Sequence, residues 1–302
     1  MSQRELLVLG SSAQLPTRTR NHNGYLLRWG DELILFDPGE GTQRQFAFAR
    51  RSTAKLTRIC ITHFHGDHCL GLPGIIQRLS VDRARGPVHA YFPAENTAYF
   101  ERLRHAAIFY ETTPLVAVPA QPGTVATEDA FQLSARALDH RVPTLGWRLD
   151  EPRRRHLVPE RLDAAGLEGP IVGQLLRDGA VTVDGRTVTL DEVSEWRDGQ
   201  SFAFVMDTAE CDAAYELAQG VDLLVCEATY LDTEAQLARE YKHLTARQAA
   251  TIAAAAGARR LVLTHFSQRY DDPTSFAREA EAVFGDVVVA EDLCEIAVPP
   301  RT

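Results

Sequence analysis

Residues 63–68 read His63-Phe64-His65-Gly66-Asp67-His68, directly behind the apolar run Arg58-Ile59-Cys60-Ile61-Thr62. Four side chains of metal-ligand type crowd into six positions at a strand end, an arrangement that is unfavourable unless a cation gathers them. Imidazole nitrogen and carboxylate oxygen are groups that zinc accepts, and a His/Asp set without cysteine points to a catalytic site rather than a closed structural one. Gly66 is expected to let the loop turn tightly enough for both halves of the motif to face inward.

Four local ligands do not complete two metal sites, and the chain offers further ones, each behind a strand-like run. Residues 134–138 lead into Asp139-His140, residues 202–206 into Asp207-Thr208, and residues 261–264 into His265. An open sheet collects the loops at the ends of its strands along one edge, which would bring these positions together. A metal pair about 3.5–4 Å apart needs a bridging carboxylate and shares a water whose pKa falls towards neutrality. Asp207, an isolated acid that closes a clean strand, is the candidate bridge.

Around these motifs the pattern is strands, then helices, twice over. Strand-like runs are read at residues 5–9, 25–29, 32–36 and 56–62, and again at 201–206, 221–226, 260–264 and 286–290, with helix-like segments between several of them. The Ala-rich stretch 245–256 reads as a helix with Thr245 as its cap. The expected class is α/β, a sheet-on-sheet core with helices on both outer faces. Residues 148–199 differ in character, being rich in Arg, Gly, Pro and Asp with only short apolar runs. A segment that long without a place in the core is expected to be functional, and it reads as a protruding arm inserted in a single domain spanning 1–302.

Composition narrows the partners. The net charge of −9 argues against general nucleic-acid binding, which depends on cationic contacts with phosphate, so any RNA substrate must meet locally concentrated charge. Such concentrations exist at Arg18 with Arg20 and in the run Arg153-Arg154-Arg155. No apolar stretch is long enough to span a bilayer and residues 1–10 lack the look of a secretory leader, so the cytoplasm is the expected location. The five cysteines are odd in number, widely spaced and without a Cys-x-x-Cys pair, and are read as reduced and mostly buried.

The pattern His-x-His-x-Asp-His after a strand, with later His, Asp and His, resembles the metallo-β-lactamase superfamily over nearly the whole chain. That resemblance implies a four-layer αββα sandwich. Further motifs resemble the ribonuclease Z family within it. These are Pro16-Thr17-Arg18-Thr19-Arg20-Asn21, Phe36-Asp37-Pro38-Gly39-Glu40-Gly41-Thr42-Gln43, Cys226-Glu227-Ala228-Thr229, His243-Leu244-Thr245 and Leu263-Thr264-His265-Phe266-Ser267-Gln268-Arg269-Tyr270. Gly169-Pro170, followed by Gly173, resembles the Gly-Pro motif of that family's flexible tRNA-gripping arm.

Carried over by position, the resemblance implies two Zn2+ ions per subunit. One would be held by His63, His65 and His140, the other by Asp67, His68 and His265, with Asp207 bridging. Hydroxide between the metals would attack a phosphodiester of precursor tRNA, removing the 3′ trailer with a 5′-phosphate and leaving a 3′-hydroxyl on the tRNA. Asp67 would accept the proton, while His243, oriented by Glu227, would protonate the departing oxygen. Arg18, Asn21, Ser267, Arg269, Gly169 and Pro170 would contact the substrate, and a homodimer with no membrane association is implied. A small-molecule hydrolase of the same fold, acting on a thioester, lactam or sulfate ester, is the alternative. The sequence departs from the family pattern at Val205-Met206, Cys226, Leu244 and Trp147, none of which is an implied ligand.

Overall fold

The computed structural model describes residues 4–301. Alternation along the first strands explains the layering. In Arg4–Gly10, Leu6 and Val8 point into one apolar cluster while Leu7 and Leu9 point into another, and all four are buried. The same split separates Ile34 and Phe36 from Leu35. A strand with apolar residues at every position must be covered on both faces, and here it is.

Seven strands form the first sheet, in the order Glu295–Ala297, Arg4–Gly10, Gly24–Trp29, Glu32–Phe36, Arg58–Cys60, Val88–Pro93, Leu115–Ala120. A second seven-stranded sheet runs Val287–Val289, Leu261–Thr264, Leu223–Glu227, Ser201–Val205, Leu145–Asp150, Gln132–Ala137, Gly123–Thr127. The sheets meet through aromatic contacts: the Phe204 ring centroid lies 4.8 Å from Phe36 and 5.1 Å from Tyr25. Helices Thr42–Phe48, Leu72–Val81 and Thr97–Arg104 cover the outer face of the first sheet through Phe46, Ile75, Leu79 and Phe100. Asp212–Ala218, Ala246–Ala256 and Thr274–Glu281 cover the second through Leu217, Ile252 and Phe276. This is the expected αββα sandwich.

Parallel pairing sets the functional edge. Ser201–Val205, Leu223–Glu227, Leu261–Thr264 and Val287–Val289 run parallel to one another, with Val205 opposite Cys226 and Glu227 opposite Thr264. In the first sheet Glu32–Phe36 and Arg58–Cys60 are parallel, with Phe36 opposite Cys60. Their carboxyl ends, and hence residues 37, 61–68, 207, 227 and 265, lie at the strand ends where ligands are expected in such sheets.

Element ends differ from the sequence reading for local reasons. The strand read at 56–62 is confined to Arg58–Cys60 because the Asp37 carboxylate takes the Thr62 N–H at 2.7 Å and ends the ladder there. The helix read at 245–256 begins at Ala246, with Thr245 as its cap: Thr245 Oγ1 accepts the Gln248 N–H at 3.2 Å while Gln248 Oε1 accepts the Thr245 N–H at 3.0 Å. All five cysteines are free, and Cys60, Cys69 and Cys226 are buried. Among the described residues no helix is long and apolar enough to cross a membrane.

Residues 150–200 form a compact unit of their own. Strands Arg154–Leu157 and Ser194–Arg197 pair antiparallel, as do Ala180–Val183 and Arg186–Thr189. The second pair closes through Asp184 and Gly185, at φ 52° and 79°, the two left-handed positions of a type I′ hairpin turn. Helices Pro159–Ala164 and Pro170–Asp178 lie between, and Leu167, Leu175, Val181, Val188 and Val193 make a small core. The segment therefore has regular structure of its own.

Candidate metal centre

A single helical turn shapes the His63–His68 segment. Gly66 has no left-handed φ; it opens the short helix Gly66–Cys69, whose first turn carries Asp67 and His68 round to the side of His63 and His65. A helical turn, rather than glycine's conformational freedom, makes the motif converge, which corrects the role expected of Gly66. Glycine is required elsewhere. A Cβ on Gly39 would stand 2.1 Å from the Asp67 carbonyl oxygen, and one on Gly71 would stand 2.0 Å from the Gly39 carbonyl oxygen. The Asp37-Pro38-Gly39 turn thus packs backbone to backbone beneath the motif.

Two sets of four atoms result. In the first, His63 Nε2 lies 2.9 Å from His65 Nδ1 and 3.5 Å from Asp207 Oδ2, and His140 Nε2 lies 3.4 Å from His65 Nδ1 and 3.6 Å from Asp207 Oδ2. In the second, His68 Nε2 is 3.4 Å from Asp67 Oδ2, 3.2 Å from His265 Nε2 and 3.2 Å from Asp207 Oδ1. His265 Nε2 completes it at 3.5 Å from Asp67 Oδ2 and 3.2 Å from Asp207 Oδ1. Ligand atoms about 2.0–2.1 Å from a tetrahedral zinc lie about 3.3 Å apart, and the separations above fall around that value. Asp207 gives one oxygen to each.

Electrostatics fits a cation in both places. Burial first, then neighbouring imidazoles, push His63 well below its ordinary pKa, and burial also lowers His65 and His140, favouring neutral rings able to coordinate. Burial works against a charged His68, yet Asp207, Asp67 and Asp37 outweigh it and hold that ring protonated. Positive charge is what the three carboxylates demand there, and a metal ion meets the demand better than a proton. Asp207 Oδ1 is buried with no hydrogen-bond partner, an orphan that coordination would satisfy.

Four of the five remaining ring nitrogens are anchored. His68 Nδ1 lies 2.8 Å from Asp37 Oδ2, His63 Nδ1 3.0 Å from Thr62 Oγ1, His140 Nδ1 3.1 Å from the Lys242 carbonyl, and His265 Nδ1 2.7 Å from Thr229 Oγ1. Such partners fix ring orientation and tautomer at metal sites. The Gln14 N–H donates to Asp67 Oδ2 at 2.8 Å. Backbone strain concentrates here too: Asp37, Asp207 and His265 sit at φ 42°, 44° and 61°, conformations that non-glycine residues hold only where the surroundings impose them.

Beside the second set stands His243. Its Nδ1 lies 3.0 Å from Glu227 Oε1, and its ring centroid is 5.2 Å from that of His140 and 5.5 Å from that of His265. Glu227 is fully buried and also accepts the Thr208 N–H at 2.7 Å and the Leu244 N–H at 3.2 Å. Because Leu244 contributes its backbone, a serine side chain is not needed at that position. Burial disfavours the His243 cation, but Glu227 and then Asp207 raise its pKa to about 9.

The substrate-contact candidates divide. Ser267 lies two residues beyond His265, and Arg269 lays its guanidinium 5.2 Å from the Tyr230 ring centroid with Nε donating to Ser267 Oγ at 3.3 Å. Arg18 is exposed, whereas Arg20 is buried and donates to the Tyr270 carbonyl at 2.7 Å, tying its loop to the segment after His265. The Asn21 side chain donates to the Glu40 carbonyl at 2.9 Å and the His22 carbonyl at 3.1 Å, so it braces the loop. Gly169 and Pro170 are exposed at the start of a helix within the separate unit 150–200.

Comparison with known proteins is consistent with this geometry. Residues 17–210 match the model of the metallo-beta-lactamase superfamily. A ribonuclease Z of Nocardia farcinica is 59% identical over 304 residues, covering 100% of both chains, and one of Salinispora arenicola is 57% identical, covering 100% of this chain and 98% of the other. The chain belongs to the ribonuclease Z family. Among solved structures, the short form of human tRNase Z superposes with a TM-score of 0.72 at 26% identity, covering 98% of this chain and 100% of that one. The metallo-beta-lactamase fold protein YhfI of Bacillus subtilis reaches 0.71 at 19% identity, covering 98% and 99%, a likeness of fold.

Within this ribonuclease Z family member, sequence reading misses Asp37, Thr62 and Thr229 as anchors of the clustered imidazole rings. Asp37 lies in a family-like motif with no implied role, and its place beside a buried turn at a strand end is the available signal. Thr62 and Thr229 carry none, since hydroxyls at strand ends are common.

Proposed function

We propose that this chain is a zinc-dependent endoribonuclease that removes the 3′ trailer from precursor tRNA, leaving a 3′-hydroxyl on the tRNA and a 5′-phosphate on the trailer. The observation that carries the reading is a pair of adjacent ligand-type sets with one Asp207 oxygen near each, in a chain 59% identical over its full length to a ribonuclease Z. His63, His65 and His140 would hold one Zn2+, Asp67, His68 and His265 the other, with Asp207 between them. When bound, a zinc pair lowers the pKa of water towards neutrality and offsets charge building on phosphate oxygens.

The chain's own groups do the rest. Asp67, held in place by the Gln14 N–H, accepts the proton of the attacking water. His243 gives Nδ1–H to the buried Glu227 carboxylate, which favours the cationic ring, so Nε2–H is presented to the departing 3′-oxygen. Ser267 and Arg269, just beyond His265, hold a non-bridging phosphate oxygen. Arg18, exposed in its loop, and the unit 150–200, with Gly169-Pro170 at a helix start, take the body of the tRNA, and a homodimer lets one subunit's arm hold the substrate that the other cuts. A precursor-tRNA substrate supports a cytoplasmic location.

End-group chemistry tests the reading. The tRNA fragment should be a substrate for 3′-end polyadenylation without prior phosphatase, and the trailer should carry a 5′-phosphate. A 2′,3′-cyclic phosphate on the tRNA would exclude water as the nucleophile and overturn the assignment.

A further inference from the structure

Thr229 is buried, and its hydroxyl meets three groups at once. Thr229 Oγ1 lies 2.6 Å from Glu227 Oε2, 2.7 Å from His265 Nδ1 and 3.3 Å from His243 Nδ1. A hydroxyl has one hydrogen to give. The ionised Glu227 carboxylate can only accept, so the Thr229 proton goes to Oε2, and Oγ1 must then accept from His265. That leaves His265 as the Nδ1–H tautomer, with the Nε2 lone pair turned to the set it shares with Asp67, His68 and Asp207. His243 meanwhile gives its own Nδ1–H to Glu227 Oε1 at 3.0 Å.

We propose that Thr229 is a positioning residue that couples the second metal site to the proton donor, its single hydroxyl setting the tautomer of ligand His265 and fixing the carboxylate that orients His243. The inference rests on the reading of His265 as a ligand and His243 as the donor. Threonine suits the position because its hydroxyl both accepts and donates along one line, His265 to Thr229 to Glu227, in a place closed to water. Valine has the same shape and can do neither. With Thr229→Val, Glu227 Oε2 loses its shortest donor and His265 Nδ1–H is left unpaired, which favours the wrong tautomer and weakens coordination.

The test compares wild type, Thr229→Val and Thr229→Ser for zinc bound per subunit against a competing chelator, and for kcat and KM on precursor tRNA. Thr229→Val should weaken one of the two zinc sites about 10–100-fold, the usual effect of removing a group that orients a ligand, and lower kcat about as much with KM within about twofold. Thr229→Ser, which keeps the hydroxyl and loses the methyl group, should restore both. A wild type holding two zinc ions beside an equally loaded and equally active Thr229→Val would overturn the inference alone. So would Thr229→Ser behaving like Thr229→Val, because the methyl group's packing would then be the reason for threonine. A wild type that bound no zinc would sink the reading of the centre itself.

Discussion

His243 Nδ1 lies 3.0 Å from Glu227 Oε1 and 3.2 Å from Oε2, beside a metal-type cluster of which neither residue is a sequence neighbour. The pair predicts a separation of chemistry from binding. Glu227→Gln keeps the shape but no longer stabilises an imidazolium, so kcat should fall by about 10²–10⁴, the range for loss of a general acid, while KM and zinc content stay near wild type. Single-turnover cleavage with metal analysis checks this, and an equal loss of zinc would assign Glu227 to the metal site instead.

Asp207 and His140 predict different stoichiometries. Removing the one residue that faces both sets, in Asp207→Ala, should empty both sites, whereas His140→Ala should lower zinc to about one per subunit, since the second set does not contain His140. Metal analysis after dialysis decides, and equal retention in the two variants would contradict the bridge.

Asp292 predicts a pH-dependent stability. Burial raises its pKa to about 6, against the lowering effects of the Asn21 N–H and the Ser11 hydroxyl. The acid is favoured in the folded state, so this stability is full below about pH 4 and is lost as pH rises through about 6. Asparagine mimics the neutral acid without titrating. Between pH 4 and 7 the stability difference between wild type and Asp292→Asn should move in favour of the variant by about 2–3 kcal/mol, at about 1.4 kcal/mol per unit. Chemical denaturation across that range checks it; a constant difference would contradict it.

Much of this was legible because ligand-type residues at strand ends are rare in combination. His63, His65, Asp67 and His68 announce themselves by density, and Asp207, His140 and His265 by following apolar runs. The layers were legible in two runs of strands with helices between them, and the structure adds the reason: Leu6 to Leu9 are apolar at every position, so that strand is covered on both faces. The anchoring groups stayed hidden. Asp37 and Thr229 act through hydrogen bonds to residues 31 and 36 positions away, and nothing in their own neighbourhood marks the partner. Arg20 and Arg18 look alike in the sequence, yet only the fold buries one and exposes the other. The unit 150–200 reads as an arm from its composition, but its core of Leu167, Leu175, Val181, Val188 and Val193 comes from apolar residues too scattered to show a period.

Phe204 predicts the cost of parting the sheets. It is fully buried between Phe36 and Tyr25, so Phe204→Ala should destabilise the fold by about 3–5 kcal/mol. Denaturant midpoints at fixed zinc report this, and a loss under about 1 kcal/mol would mean that the sheets do not depend on that contact.

Replacing residues 152–199, the body of the separate unit, by a short linker should make affinity and chemistry separate. Apparent KM for precursor tRNA should rise, with turnover of a small phosphodiester nearly intact. Loss of the small substrate as well would make this segment structural.

The most direct measurement is cleavage of a 3′-extended precursor tRNA by zinc-loaded wild type and Asp67→Ala. Wild type should cut once, next to the discriminator base, in a zinc-dependent reaction, and Asp67→Ala should be close to inactive on the same RNA. An intact precursor with wild type, or rapid turnover of a thioester or lactam in its place, would contradict the account.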